Sequence, residues 1–215
     1  MRTCGIDEAG RGAVIGPMVI AGVLVDQSRM GELIEAGVKD SKELTPGVRA
    51  ELSKLISEIA ERVELIVVDA RLVDESTRRS GARGINELEA RMMVELINRL
   101  KPDAAYIDLP STKYHDFRAL IEQYAGHKCF LILEHKADRK YPVVSAASII
   151  AKHERDMLVE KLKIELGDFG SGYPSDPKTR NFLLQVLMRR DIRRDHIRLT
   201  WKTISKLAQR KLDEF

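Results

Sequence analysis

Residues 3–25 read T-C-G-I-D-E-A-G-R-G-A-V-I-G-P-M-V-I-A-G-V-L-V, and they decide the fold. Thr3–Ile6 is a short run suited to a buried strand. Met18–Val25 is a continuous apolar run and predicts a second one. Between them lie two acids, Asp7-Glu8, and the glycine-flanked turn Gly10-Arg11-Gly12. By themselves, paired acids on such a turn are more often structural or solvated than functional.

Working outward, the strands after this point are separated by helices. Val48, Leu52, Leu55, Ile56 and Ile59 recur at helical spacing, so 46–60 predicts an amphipathic helix. Thr45 is its N-cap and Pro46 its first residue. Residues 63–68 are strand-like. A helix over 84–100 carries Leu88, Met92, Leu96 and Leu100 on one face. Short apolar runs at 104–107 and 129–133 predict interior strands, with a helix over 114–124 between them. Pro142 opens a long helix that Gly167 ends. Helices over roughly 177–190 and 201–212 follow. The expectation is an α/β fold, a mixed sheet flanked by helices with a helical C-terminal extension.

The 44% hydrophobic and 32% charged fractions suit a soluble chain with a real core. Cys4 and Cys129 are far apart and in no C-x-x-C pair, which argues against zinc and against a disulfide framework. The longest apolar stretch, about 13–25, is broken by Gly16, Pro17 and Gly22 and is too short to span a bilayer. No signal peptide precedes the first strand, so a cytoplasmic setting and no membrane are expected. Charge is uneven: residues 176–215 hold 11 Lys and Arg against 5 Asp and Glu, while the rest is net acidic. A basic end on an acidic body suggests a polyanion partner. Arg189, Arg190, Arg193, Arg194 and Arg198 equally suit a solvated helical face.

A lone Asp-Glu pair is weak evidence for a site. Asp108, however, ends the apolar run 104–107, and Asp138 closes E-H-K-A-D after another. Acids at the ends of several strands can converge at one sheet edge. Four carboxylates together repel unless cations neutralise them. Oxygen-only donors favour Mg²⁺ or Mn²⁺. The chain has no G-x-S-x-G and no P-loop.

The chain resembles the type 2 ribonuclease H family, archaeal ribonuclease HII most of all. The matching stretches are G-I-D-E-A-G-R-G (5–12), I-G-P (15–17), K-D-S-K (39–42), I-N-E-L-E (85–89), E-H-K-A-D (134–138), P-V-V-S-A-A-S-I-I-A-K (142–152) and G-D-F-G-S-G-Y-P-S-D-P (167–177). They run in the family's order. Ala13 departs from the Pro of many members, which bears on loop stiffness.

The resemblance implies catalytic, metal-holding carboxylates at Asp7, Glu8, Asp108 and Asp138, with two divalent ions. It implies that Gly10-Arg11-Gly12 senses a ribonucleotide 2′-hydroxyl, which separates RNA from DNA at one position. Without it, the same turn would only close one strand on the next. Tyr173 would pack on a neighbouring sugar, and Lys42 would bind phosphate. Asn86, His135 and Lys152 lie in matching motifs without a settled role. The expected activity is hydrolysis 5′ of ribonucleotides in RNA–DNA hybrids or in duplex DNA, leaving 5′-phosphate and 3′-hydroxyl ends. Another repair nuclease of the same superfamily, or a binding module without catalysis, remains an alternative.

The expected layout is a catalytic domain over 1–170, a helical extension over 171–208 and a tail over 209–215, in a monomer. In the tail, Gln209, Leu212 and Phe215 have the spacing of a peptide that docks on a replication sliding clamp. Leu212 could instead cap the last helix.

Overall fold

The computed structural model describes residues 1–38, 44–80, 82–109, 114–189 and 194–212. The elements are β1 (Arg2–Ala9), β2 (Met18–Asp26), α1 (Met30–Glu35), α2 (Pro46–Ile59), β3 (Arg62–Val68), α3 (Ala70–Ser80), α4 (Ala82–Leu100), β4 (Ala104–Asp108), α5 (Tyr114–Tyr124), β5 (Phe130–Glu134), α6 (Ala137–Lys140), α7 (Pro142–Leu166), α8 (Pro177–Met188) and α9 (Lys202–Leu212). The mixed sheet and the C-terminal helices are those expected. Helices α1, α3 and α6 were not expected. The polar surface of α3 and the four-residue length of α6 leave no long apolar period to detect.

Two compact units divide the chain. The first holds residues 1–9, 19–66 and 86–154; the second holds 10–18, 67–85 and 155–215. The boundary expected at 170/171 falls inside the second unit.

In the first unit the strand order is β3-β2-β1-β4-β5. β1 pairs antiparallel with β2 and parallel with β4, and β4 pairs parallel with β5. β1 is therefore central, and its neighbour β2 is buried from Met18 to Val25. A strand covered on both faces reads as a continuous apolar run, which is why this stretch was legible. Thr45 caps α2 through its hydroxyl, which accepts from the Val48 amide. The buried face of α4 includes Met93, Leu96, Ile97 and Leu100, a rotation from the expected stripe, because Leu88 and Met92 are only half-buried.

Residues 143–151 of α7 are buried throughout. Gly5 permits the close fit: a Cβ there would overlap the Val143 carbonyl. Thus β1 and α7 meet backbone to backbone.

The second unit has its own core of Val14, Ile15, Val159, Phe169, Phe182, Leu183, Val186, Ile197 and Leu207. Backbone bonds tie its segments. Gly172 O accepts from the Val14 and Ile15 amides, at 2.8 and 3.1 Å, and the Gly16 amide donates to His196 O. Ile15 and Ile197 form an isolated antiparallel bridge.

Candidate functional site

In the first unit the last β1–β4 pair is Ile6 with Ile107. The next residue on each strand is a carboxylate, Asp7 and Asp108. Side chains in register on parallel neighbours point to the same face, so these two acids lie side by side.

Asp7 is 4% exposed. Its Oδ1 accepts from the Glu8 amide at 2.8 Å. Burial, chiefly, holds its carboxyl well above the usual carboxylate range; Glu8 and Asp108 push it further, while a hydrogen bond with Ser148 works the other way. Ser148 comes from α7 and also accepts from Lys152 Nζ at 2.9 Å. Lys152 thereby gains a place: it braces the serine that bonds Asp7.

Asp108 is held by the turn after β5. Lys136 adopts a left-handed conformation, φ 59°, and α6 starts at Ala137. The Ala137 amide donates to Asp108 Oδ1 at 2.7 Å. Asp138 comes next and is 3% exposed. The strand-end expectation for Asp138 is refined: it sits in the first turn of α6, beyond β5. His135 Nδ1 lies 3.2 Å from Leu109 O, so it fixes the same turn. Asn86 sits half-buried in α4.

The donor set suits hard divalent cations: all oxygen, with Asp7 and Asp138 buried and Asp7 crowded by Glu8 and Asp108. Among the described residues, no group of three or more His, Cys, Asp or Glu side chains is placed to hold a metal ion.

In the second unit the turn after β1 is tightly braced. Gly10 has φ 83°, and a Cβ there would overlap Arg155 Nε and lie 2.6 Å from Pro17 O, so only glycine fits. The Gly10 amide donates to the Tyr173 hydroxyl at 3.1 Å. Gly12 is exposed, with open space around it. Arg11 is half-buried, and its carbonyl accepts from Arg198 Nη1 at 2.8 Å.

Arg198 is a correction. It is no member of a solvated face but fully buried, at 0% exposure. Its Nη2 donates to Gly16 O at 3.0 Å, so one guanidinium spans both sides of the turn. Burial lowers its pKa to about 9, and the neighbouring Arg155 adds to the drop. Arg189, Arg194, Lys202 and Lys206 do stay exposed.

Lys42 lies outside the described residues, as does Phe215; Gln209 is exposed in α9, and Leu212 ends that helix with its side chain outside the description. No helix among the described residues is long and apolar enough to cross a membrane. Sequence reasoning missed Ser148, Arg155 and Arg198. A signal existed for two. Ser148, Lys152 and Arg155 recur at i, i+4 and i+7, a polar stripe on a helix that is otherwise apolar to Ala151.

A family model described as Ribonuclease HII matches residues 4–204. Ribonuclease HII of Pyrococcus furiosus is 45% identical over 97% of this chain and 92% of that protein. The crystal structure of the ribonuclease H2 from Pyrococcus horikoshii OT3 is similar at TM-score 0.87, with 42% identity and 98% of each chain covered. The ribonuclease HII chain in the PCNA:RNase HII complex from Archaeoglobus fulgidus is also similar at TM-score 0.87. It is 45% identical, with 99% of this chain and 100% of that chain covered.

Proposed function

The chain belongs to the ribonuclease HII family, and on that premise we propose how its type 2 ribonuclease H activity is carried. It is a metal-dependent endonuclease that hydrolyses the phosphodiester 5′ of a ribonucleotide, in RNA–DNA hybrids or in duplex DNA. The products carry 5′-phosphate and 3′-hydroxyl ends.

The observation that carries the assignment of parts is the pairing of Asp7 with Asp108 at the end of the β1–β4 ladder, with Asp7 buried among acids. Asp7, Glu8, Asp108 and Asp138 hold the divalent ions, Mg²⁺ or Mn²⁺, two per site. Metal bound there supplies the positive charge that makes water nucleophilic and stabilises the leaving oxygen. The protein's own part is to fix the carboxylates: the Ala137 amide orients Asp108, and Ser148, braced by Lys152, orients Asp7. No side chain needs to attack phosphorus.

Recognition falls to the turn. Gly10, Arg11 and Gly12 present backbone groups to the 2′-hydroxyl, and Tyr173 packs on the adjoining sugar. Lys42 binds phosphate, an assignment that rests on the family resemblance. The exposed basic residues of 189–206 contact phosphates without reading sequence.

The tail over 209–215 docks on a sliding clamp through Gln209, Leu212 and Phe215. Its spacing supports this, as does the PCNA complex of the similar Archaeoglobus protein. Removing 209–215 should weaken binding to the clamp by tenfold or more, on the order of one lost anchor. Cleavage of a short duplex without clamp should stay unchanged.

The deciding assay uses a duplex with one ribonucleotide beside an all-DNA control, with product ends mapped and EDTA as a blank. Cutting 5′ of the ribonucleotide, abolished by EDTA, is expected. Equal cutting of the control would point instead to a repair nuclease with another substrate.

A further inference from the structure

Arg155 is 4% exposed, and Arg198 is fully buried. Among the described residues, no carboxylate accepts a hydrogen bond from either. Arg155 Nη2 donates only to Ser171 O, at 3.2 Å, and its Nε has no partner. Arg198 donates to the carbonyls of Arg11 and Gly16. The two cations also repel each other. The charges of Asp156 and Asp74 favour the two cations, but burial outweighs them, and burying charge is expensive.

What Arg155 does touch is Tyr173. Its guanidinium carbon lies 4.6 Å from the centre of the Tyr173 ring. A planar cation on an aromatic face fixes the ring's tilt as well as attracting it. The same ring carries the hydroxyl that meets the Gly10 amide. Arg155 also packs against Gly10 itself, which leaves no room for a Cβ. One side chain thus sets two parts, the tyrosine and the first glycine of the turn.

We propose that Arg155 is a positioning residue for ribonucleotide recognition. It stacks on Tyr173 and braces Gly10, so that the ring and the turn keep one relative placement. The inference rests on the roles given above to Tyr173 and to Gly10-Arg11-Gly12. Lysine cannot replace it, because an ammonium has no plane to stack and a shorter reach to Ser171 O.

The test is a double-mutant cycle on the full chain with the single-ribonucleotide duplex. Arg155→Lys and Tyr173→Ala are each expected to lower kcat/KM by about tenfold, the order of a desolvated cation–π contact. The double variant is expected to lose little more than either single one, because both remove the same contact. Melting temperatures identify the folded variants; if Arg155→Lys does not fold, Arg155→Gln takes its place in the cycle. Losses that multiply in the double variant overturn the inference, since a merely structural arginine would act independently of Tyr173. Unimpaired Arg155→Lys beside an impaired Tyr173→Ala overturns it while sparing the role of Tyr173. An unimpaired Tyr173→Ala removes that role, and this inference with it.

Discussion

The carboxylate centre and the glycine turn after β1 solve opposite electrostatic problems. At the centre, negative charge accumulates: Asp7 is buried, with Glu8 and Asp108 driving its carboxyl upward. At the turn, positive charge is buried: Arg155 and Arg198 stand among backbone carbonyls and the Tyr173 ring. The first is an all-oxygen donor set of the kind that suits divalent cations. The second uses its guanidiniums as rigid forks for carbonyls. One region gathers acids, whereas the other braces a turn.

The sharpest way to break this contrast is Asp7→Asn. Cleavage should fall by at least about 1,000-fold if, as proposed, its charge holds the metal. Hybrid binding and the folded state should survive, because an uncharged amide suits a buried place among acids. A well-folded variant that still cuts would sink the assignment.

Divalent metal should act on one region alone. Millimolar Mg²⁺ or Mn²⁺ should stabilise the protein by about 1–3 kcal/mol through mass action. Asp7→Asn should shrink that gain, and Arg198→Met should leave it intact. Thermal melts with and without metal measure both. Arg198→Met should itself destabilise by roughly 2–4 kcal/mol, because the Arg11 and Gly16 carbonyls lose their donor.

Ser148→Ala sharpens the comparison from the other side. Asp7 loses a hydrogen bond and Lys152 loses one acceptor. The Mg²⁺ needed for half-maximal cleavage should rise about tenfold, as for other residues that support a metal ligand. A metal requirement equal to that of the unaltered protein would remove Ser148 from the account.

The smallest effect concerns Asp176, which caps α8 and also accepts from the Ser171 amide at 2.6 Å. The Ser171 backbone bond, first of several, holds its carboxyl below the usual range. A lowered folded pKa stabilises above the unfolded value and is lost as pH falls through the folded one. Asp176→Ala should therefore lower the melting temperature slightly at neutral pH, with the difference closing in strong acid.

The contrast also explains what the sequence made legible. Asp7, Asp108 and Asp138 stand at or just past the ends of apolar runs, so a strand pattern finds them. Met18–Val25 gave its strand because both faces are covered. Arg198 gave the wrong signal: an arginine among arginines looks solvated, and only a fold that brings residues 11, 16 and 198 together can bury it. Ser148 and Arg155 were hidden differently. Their helical stripe is visible, but which partner it meets depends on β1 and on Tyr173, long-range contacts that no local pattern encodes. The helix α6 escaped because four residues cannot show a period.

The single guanidinium that spans Arg11 and Gly16 has a consequence for the protein's synthesis. Arg11 emerges early, yet the side chain that ties its carbonyl lies 187 residues later in the chain. Every shorter nascent chain that already contains Asp138 and Tyr173 carries the carboxylates and the tyrosine without a fastened turn. If the proposed roles hold, discrimination between ribose and deoxyribose is thus acquired later in synthesis than the capacity to hold metal.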